Sequence, residues 1–178
     1  MNPYRAESEM YEPVRQWLHR FLSDRFKNAR IDTYDASAMR LSRLIEDQNL
    51  HDGLSPDWPT WEIRADVVGF VRSPGVTRLT LVECKINSLT LDHLAQLLGY
   101  ARIARPHFAF LIAPQGANRS LTQLLTVYRR LDVLEYFAEQ GCLSRALIVA
   151  RWDAHGGTIA LDSTVTTDAQ KVELGKFA

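Results

Sequence analysis

Residues 61–86 read WEIRADVVGFVRSPGVTRLTLVECKI. Two β-rich runs, Trp61 to Val71 and Val76 to Ile86, flank Ser73-Pro74-Gly75, residues that favour a tight turn. The stretch predicts a hairpin, and the rest of the chain is read outward from it. Side chains alternate along a strand, so Glu83 and Lys85 share one face while Val82, Cys84 and Ile86 share the other. Opposite charges thus sit together in a strand rich in Leu and Val. Asp66 lies on the first run, across the turn, where the two carboxylates can meet on paired or neighbouring strands.

Two carboxylates held together away from water are unfavourable unless a cation neutralises them. Asp, Glu, a backbone carbonyl and water form a hard, oxygen-only set suited to Mg2+ or Mn2+. A lysine at the same place can hold or deprotonate a metal-bound water. This is the inventory of metal-assisted phosphodiester hydrolysis. An isolated Glu-x-Lys would carry only the plainer reading, a surface ion pair on a half-exposed sheet.

Upstream, Asn2-Pro3 suits a helix start. Met10, Tyr11, Val14, Trp17, Leu18, Phe21 and Leu22 recur at helical spacing and predict a helix over about 4–24, disturbed near Pro13. A strand is expected over Arg30 to Tyr34, a helix over Met39 to Leu50, and a loop over 51–59. Downstream, Thr90 can cap a helix over Leu91 to Arg105, which Pro106 ends. His107 to Ala113 reads as a buried strand. A helix over Leu121 to Gln140, closed by Gly141, precedes strands over Arg145 to Trp152 and Thr158 to Leu161. The last dozen residues are polar and expected to be loose. This order predicts an α/β protein with a central mixed sheet flanked by helices. It forms one domain over 1–178, with a core over about 5–113 and a C-terminal helix and strands over 118–163.

The run Asp66…Glu83-Cys84-Lys85 resembles the motif of the PD-(D/E)XK nucleases, the restriction-endonuclease-like fold. Gln96-Leu-Leu-Gly-Tyr100 is similar to the QxxxY element of their RecB-like branch, and its Gln and Tyr, four apart, share one helical face. Ala65 stands where the signature has proline. The resemblance implies an αβββαβ core and a Mg2+-dependent deoxyribonuclease, acting as an endonuclease. It implies Asp66, Glu83 and the Cys84 carbonyl as metal ligands, Lys85, Gln96 and Tyr100 as further catalytic residues, and a glutamate from the first helix. Of Glu7, Glu9 and Glu12, Glu7 lies within about 20° of Val14 on the buried face, and Glu9 is the fallback. Arg64, Arg102 and Arg105 are expected phosphate contacts, because guanidinium suits bidentate phosphate binding. His93, one turn before Gln96, could reach phosphate, but reads first as a partly exposed bystander. Cys84 reads as a small core residue and not a nucleophile.

The chain has 21 basic and 21 acidic residues among 178, which excludes a polycation that coats nucleic acid indiscriminately. Residues 61–110 hold six basic and four acidic groups, so the motif region is mildly basic. Two cysteines make no disulfide framework. No apolar signal region or membrane span is visible, and a cytoplasmic protein is expected. The partners expected are a DNA substrate and, for cutting two strands, a second copy in a homodimer, with Leu121 to Phe137 as the interface. The competing expectation is a nuclease-like module that binds nucleic acid or a protein partner without cutting.

Overall fold

The computed structural model describes residues 3–137 and 145–161. In chain order its elements are α1 (Tyr11–Arg25), β1 (Arg30–Asp35), α2 (Leu41–Asp47), β2 (Val67–Ser73), β3 (Val76–Cys84), α3 (Leu91–Ala104), β4 (Phe108–Ala113), α4 (Arg119–Thr126), β5 (Glu135–Phe137), β6 (Arg145–Ala146), β7 (Ile148–Asp153) and β8 (Thr158–Leu161). The hairpin at the centre pairs β2 with β3 in antiparallel register, Val67 opposite Val82 and Ser73 opposite Val76. Pro74 and Gly75 alone make its turn. Proline presets the first position, and Gly75, at φ 73°, supplies the left-handed backbone of the second.

β2 is shorter than the sequence predicts. The preceding residues bond instead to the start of α2, whose Leu41 and Ser42 N–H groups donate to the carbonyls of Ile63 and Trp61. α2 itself is shorter than the expected 39–50, and the left-handed Asn49, at φ 51°, follows it. β1 adds antiparallel to β2. On the other side β3 runs parallel to β4, the pairing that requires a crossover, here made by α3. β4 runs parallel to β7, and β8 closes the edge antiparallel to β7. The result is a mixed six-stranded sheet in the order β1-β2-β3-β4-β7-β8, flanked by helices. The α/β class expected from the sequence is what the chain adopts.

Alternation along the strands sorts the core into two layers. Val67, Val71, Val82, Cys84 and Phe110 pack against Val14, Trp17, Leu18 and Leu22 of α1. Val68, Phe70, Leu79, Leu81 and Leu111 face Leu44 and Ile45 of α2, Leu94 and Leu97 of α3, and Leu121 and Leu125 of α4. β4 is buried along its whole length, as a central strand covered on both faces must be. Trp17 stands edge-on to Phe110, ring centres 5.2 Å apart, which fixes α1 over the middle of the sheet.

The first helix starts later than expected. Glu7–Met10 form a 3-10 turn, and α1 begins at Tyr11. Pro13 is the third residue of α1, where a backbone N–H has no acceptor within the helix, so α1 continues through it. The C-terminal region departs further. The helix expected to reach Gln140 ends at Thr126, Arg129 takes a left-handed φ of 52°, and a 3-10 turn at Leu131–Leu134 leads into β5, which pairs with β6. The single strand expected over Arg145 to Trp152 is divided at Leu147 between β6 and β7. Leu121, Leu125 and Leu134 point into the core, so of the expected dimer surface Val127 and Tyr128 project into solvent, Tyr128 at 71% exposure. Residues 138–140 of the expected helix, the Gly141 stop and the polar tail lie outside the described residues. Among the described residues no helix is long and apolar enough to cross a membrane.

Candidate active site

One step beyond the last pair of the β2–β3 ladder, its register sets Asp66 opposite Glu83. Both are withdrawn from water, Asp66 at 8% and Glu83 at 2% exposure. Asp66 Oδ2 accepts the Cys84 N–H at 2.8 Å. Lys85, the first residue past β3, donates its backbone N–H to the Ile112 carbonyl and so still follows the sheet. Its Nζ donates to Glu83 Oε1 at 2.8 Å and to Glu7 Oε1 at 3.1 Å. The shared side of Glu83 and Lys85, read from strand alternation, is therefore a direct contact.

The three N-terminal glutamates part company. Glu7 reaches Lys85 from the 3-10 turn before α1. Glu9 accepts the Arg5 N–H at 2.7 Å, and Glu12 pairs with Arg15 at 2.7 Å and with Gln16. From α3, Gln96 Nε2 donates to Glu83 Oε1 at 3.0 Å and to the Tyr100 hydroxyl at 3.4 Å. Tyr100 thus braces Gln96 and not Lys85.

Burial first, and then the charge of Asp66, push Glu83 up to about 7, against the pull of Lys85. Burial likewise raises Asp66, outweighing the Cys84 N–H and the Lys85 charge. Burial alone would lower Lys85, but the hydrogen bond and charge of Glu83, joined by Asp66 and Glu7, hold it above the ordinary lysine value. Without a bound cation, these carboxylates hold Lys85 as a cation at neutral pH. Cys84 is fully buried and its thiol is raised by that burial, as a core residue requires.

Glu83 Oε1 receives both Lys85 and Gln96, while its Oε2 is buried without a partner. A buried carboxylate oxygen left so is costly, and either a proton or a hard cation relieves it. Among the described residues no three His, Cys, Asp or Glu side chains form a group that could hold a metal. Glu7, the third carboxylate nearby, is engaged by Lys85. A cation here would draw on Asp66 and Glu83 and take its other ligands from backbone and water.

Two of the expected phosphate contacts are displaced. α3 runs back along β3, and His107 beyond it donates its N–H to Leu79, so Arg105 lies at the opposite end of β3 from Glu83. Arg102 is exposed, about 9 Å along α3 from Gln96 and turned about 120° away. Arg64, two residues before Asp66, is exposed in an open groove with Arg40, Arg43 and Trp58. One site residue escaped the sequence reading. Tyr11, buried at the start of α1, lies within the electrostatic reach of Asp66, and burial followed by the Asp66 charge raises its phenol. Its place one helical turn after Glu7 is the only sequence signal for it. No family model matches the chain, and no curated protein or solved structure is significantly similar to it.

Proposed function

We propose that this chain is a metal-dependent nuclease that hydrolyses phosphodiester bonds in DNA, built on a restriction-endonuclease-like core. The order α1, β1, β2, β3, α3, β4, with α2 inserted after β1, supports that core, as does the antiparallel β1-β2-β3 meander followed by parallel β4. The observation that carries the reading is the buried pair Asp66 and Glu83, one oxygen of which has no partner, beside a lysine fixed as a cation.

Asp66, Glu83 and the Cys84 carbonyl would hold Mg2+ or Mn2+. A bound ion of this kind lowers the pKa of a coordinated water and offsets charge developing on the phosphate. Gln96 and Lys85 occupy Glu83 Oε1, so Oε2 would be the oxygen left for a cation. The Cys84 N–H fixes the Asp66 carboxylate, with the buried Tyr11 phenol near it. Lys85, steadied by Glu7, would supply a positive charge to the attacking water and the phosphate. Arg64, exposed two residues before Asp66, is the arginine we would assign to the substrate backbone, and cutting both strands of a duplex would call on a homodimer.

Purified protein incubated with plasmid, linear duplex and single-stranded DNA in Mg2+, Mn2+ or EDTA tests this directly. Cleavage that needs the metal and is lost in Lys85→Ala is expected. Cleavage that survives EDTA or the substitution would overturn the mechanism. DNA binding without cleavage under every condition would select the non-cutting module instead.

A further inference from the structure

We propose that His93 contacts the substrate, its Nε2–H donating a neutral hydrogen bond to a non-bridging phosphate oxygen beside the Asp66, Glu83 and Lys85 cluster. The inference rests on the nuclease reading and names one way in which that site holds its substrate.

α3 opens on a reciprocal cap. Thr90 Oγ1 accepts the His93 N–H at 3.4 Å, and His93 Nδ1 accepts the Thr90 N–H at 3.2 Å. A backbone N–H can only donate, so Nδ1 carries the lone pair and the ring proton resides on Nε2. Glu or Gln is the usual residue in such a box. Histidine makes the same bond and leaves an N–H on the far side of a rigid ring.

The placement gives that N–H a use. His93 is half-buried, three residues before Gln96, and so shares a helix face with Gln96 and Tyr100. Helical side chains lean toward the helix N-terminus. The ring lies within the electrostatic reach of Lys85 and Glu7. Burial, and then Lys85, hold the imidazole below its ordinary value against the opposite pull of Glu7 and Asp92, so it is neutral at neutral pH.

The cluster around it is rich in carboxylates, which repel a phosphate, and its one lysine already serves Glu83 and Glu7. A neutral donor fixed in direction adds a phosphate contact without competing for those carboxylates. Hydrogen bonds to charged partners are the stronger class, so loss of this one should weaken substrate binding by about tenfold or more.

Three variants separate this role from capping alone. His93→Gln keeps an acceptor for Thr90 and a donor beyond it. His93→Glu keeps the acceptor and loses the donor, and His93→Ala loses both. Binding of a fluorescein-labelled DNA oligonucleotide, as duplex and as single strand, is followed by anisotropy in Ca2+, beside thermal melting. In the free wild-type protein, long-range 1H–15N correlation should place the His93 proton on Nε2. His93→Ala and His93→Glu should both lose affinity although only the former loses Tm, and His93→Gln should bind nearly as wild type does. A proton on Nδ1, wild-type affinity in His93→Ala, or affinity that follows Tm across the three would overturn the inference alone. A wild-type protein that binds neither DNA form would overturn it together with the reading beneath it.

Discussion

The Cys84 N–H donates to the Asp66 carboxylate at 2.8 Å, just past the last rung of the β2–β3 ladder. The Asp66 carbonyl meanwhile accepts the Ala36 N–H at 2.9 Å, next to the end of β1. Asp66 therefore joins three strand ends while presenting its side chain to Glu83. Structure and proposed chemistry share one residue, and substitutions can pull them apart.

Asp66→Asn keeps an oxygen for the Cys84 N–H but removes a charge from the proposed cation site. It should fold with a Tm close to wild type and lose Mn2+ affinity by tenfold or more, read by calorimetric titration. Asp66→Ala also leaves a buried N–H without an acceptor, at a cost of about 1–3 kcal/mol. A Tm for Asp66→Ala equal to that of Asp66→Asn would show that the Cys84 bond contributes nothing.

Glu83 makes the metal-free fold pH-sensitive. Its folded value of about 7 lies above the ordinary 4.5, so the folded state holds the extra proton. Stability from this group is full below about pH 4.5 and is lost as pH rises through about 7. Glu83→Gln should therefore melt higher than wild type at pH 8 in EDTA, with the gap closing toward pH 5. A gap that widens as pH falls would contradict the burial argument.

If the proposed site takes up a metal, the ion must displace the proton that Glu83 retains. Mn2+ affinity, followed by electron paramagnetic resonance, should rise between about pH 6 and 8 as Glu83 ionises through about 7. Lys85→Met removes the charge that opposes the upward shift, so the midpoint of uptake should move to higher pH. An unchanged or lower midpoint would show that Lys85 does not act on Glu83 in solution.

The legible part of this chain rests on short-range periodicity. Alternation brings Glu83 and Lys85 together and Thr90 announces the start of α3, whereas Glu7, chosen by helical phase, reaches Lys85 from a 3-10 turn to which that phase does not apply. The C-terminal helix failed because Leu131, Leu134 and Tyr136 suit several conformations, and the break falls at Arg129, which is neither Gly, Pro nor Asn. The β5–β6 pair depends on partners well apart in the chain. Tyr11 was read as core because its ring is core, while its phenol lies within reach of a residue that only the fold brings near. Arg105 suits phosphate by its chemistry, but α3 carries it to the far end of β3, which residue type alone does not reveal.

Gly69 tests how α1 is seated, independently of any activity. A Cβ there would lie 2.7 Å from Leu22 Cδ1 and 3.1 Å from Leu18 Cδ2, both side chains fully buried against β2. The nearest atom is the tip of a leucine, so the backbone is not blocked, but the packed layer has no free space to receive it. Gly69→Ala should destabilise by about 1–3 kcal/mol by overpacking. Leu22→Ala alone should cost about 2–5 kcal/mol through the cavity it leaves. Combined, the new methyl enters that cavity, so the double variant should lose less than the sum of the two, read by denaturant unfolding as a double-mutant cycle. Strict additivity would mean that Gly69 and Leu22 do not meet, and that α1 crosses β2 elsewhere.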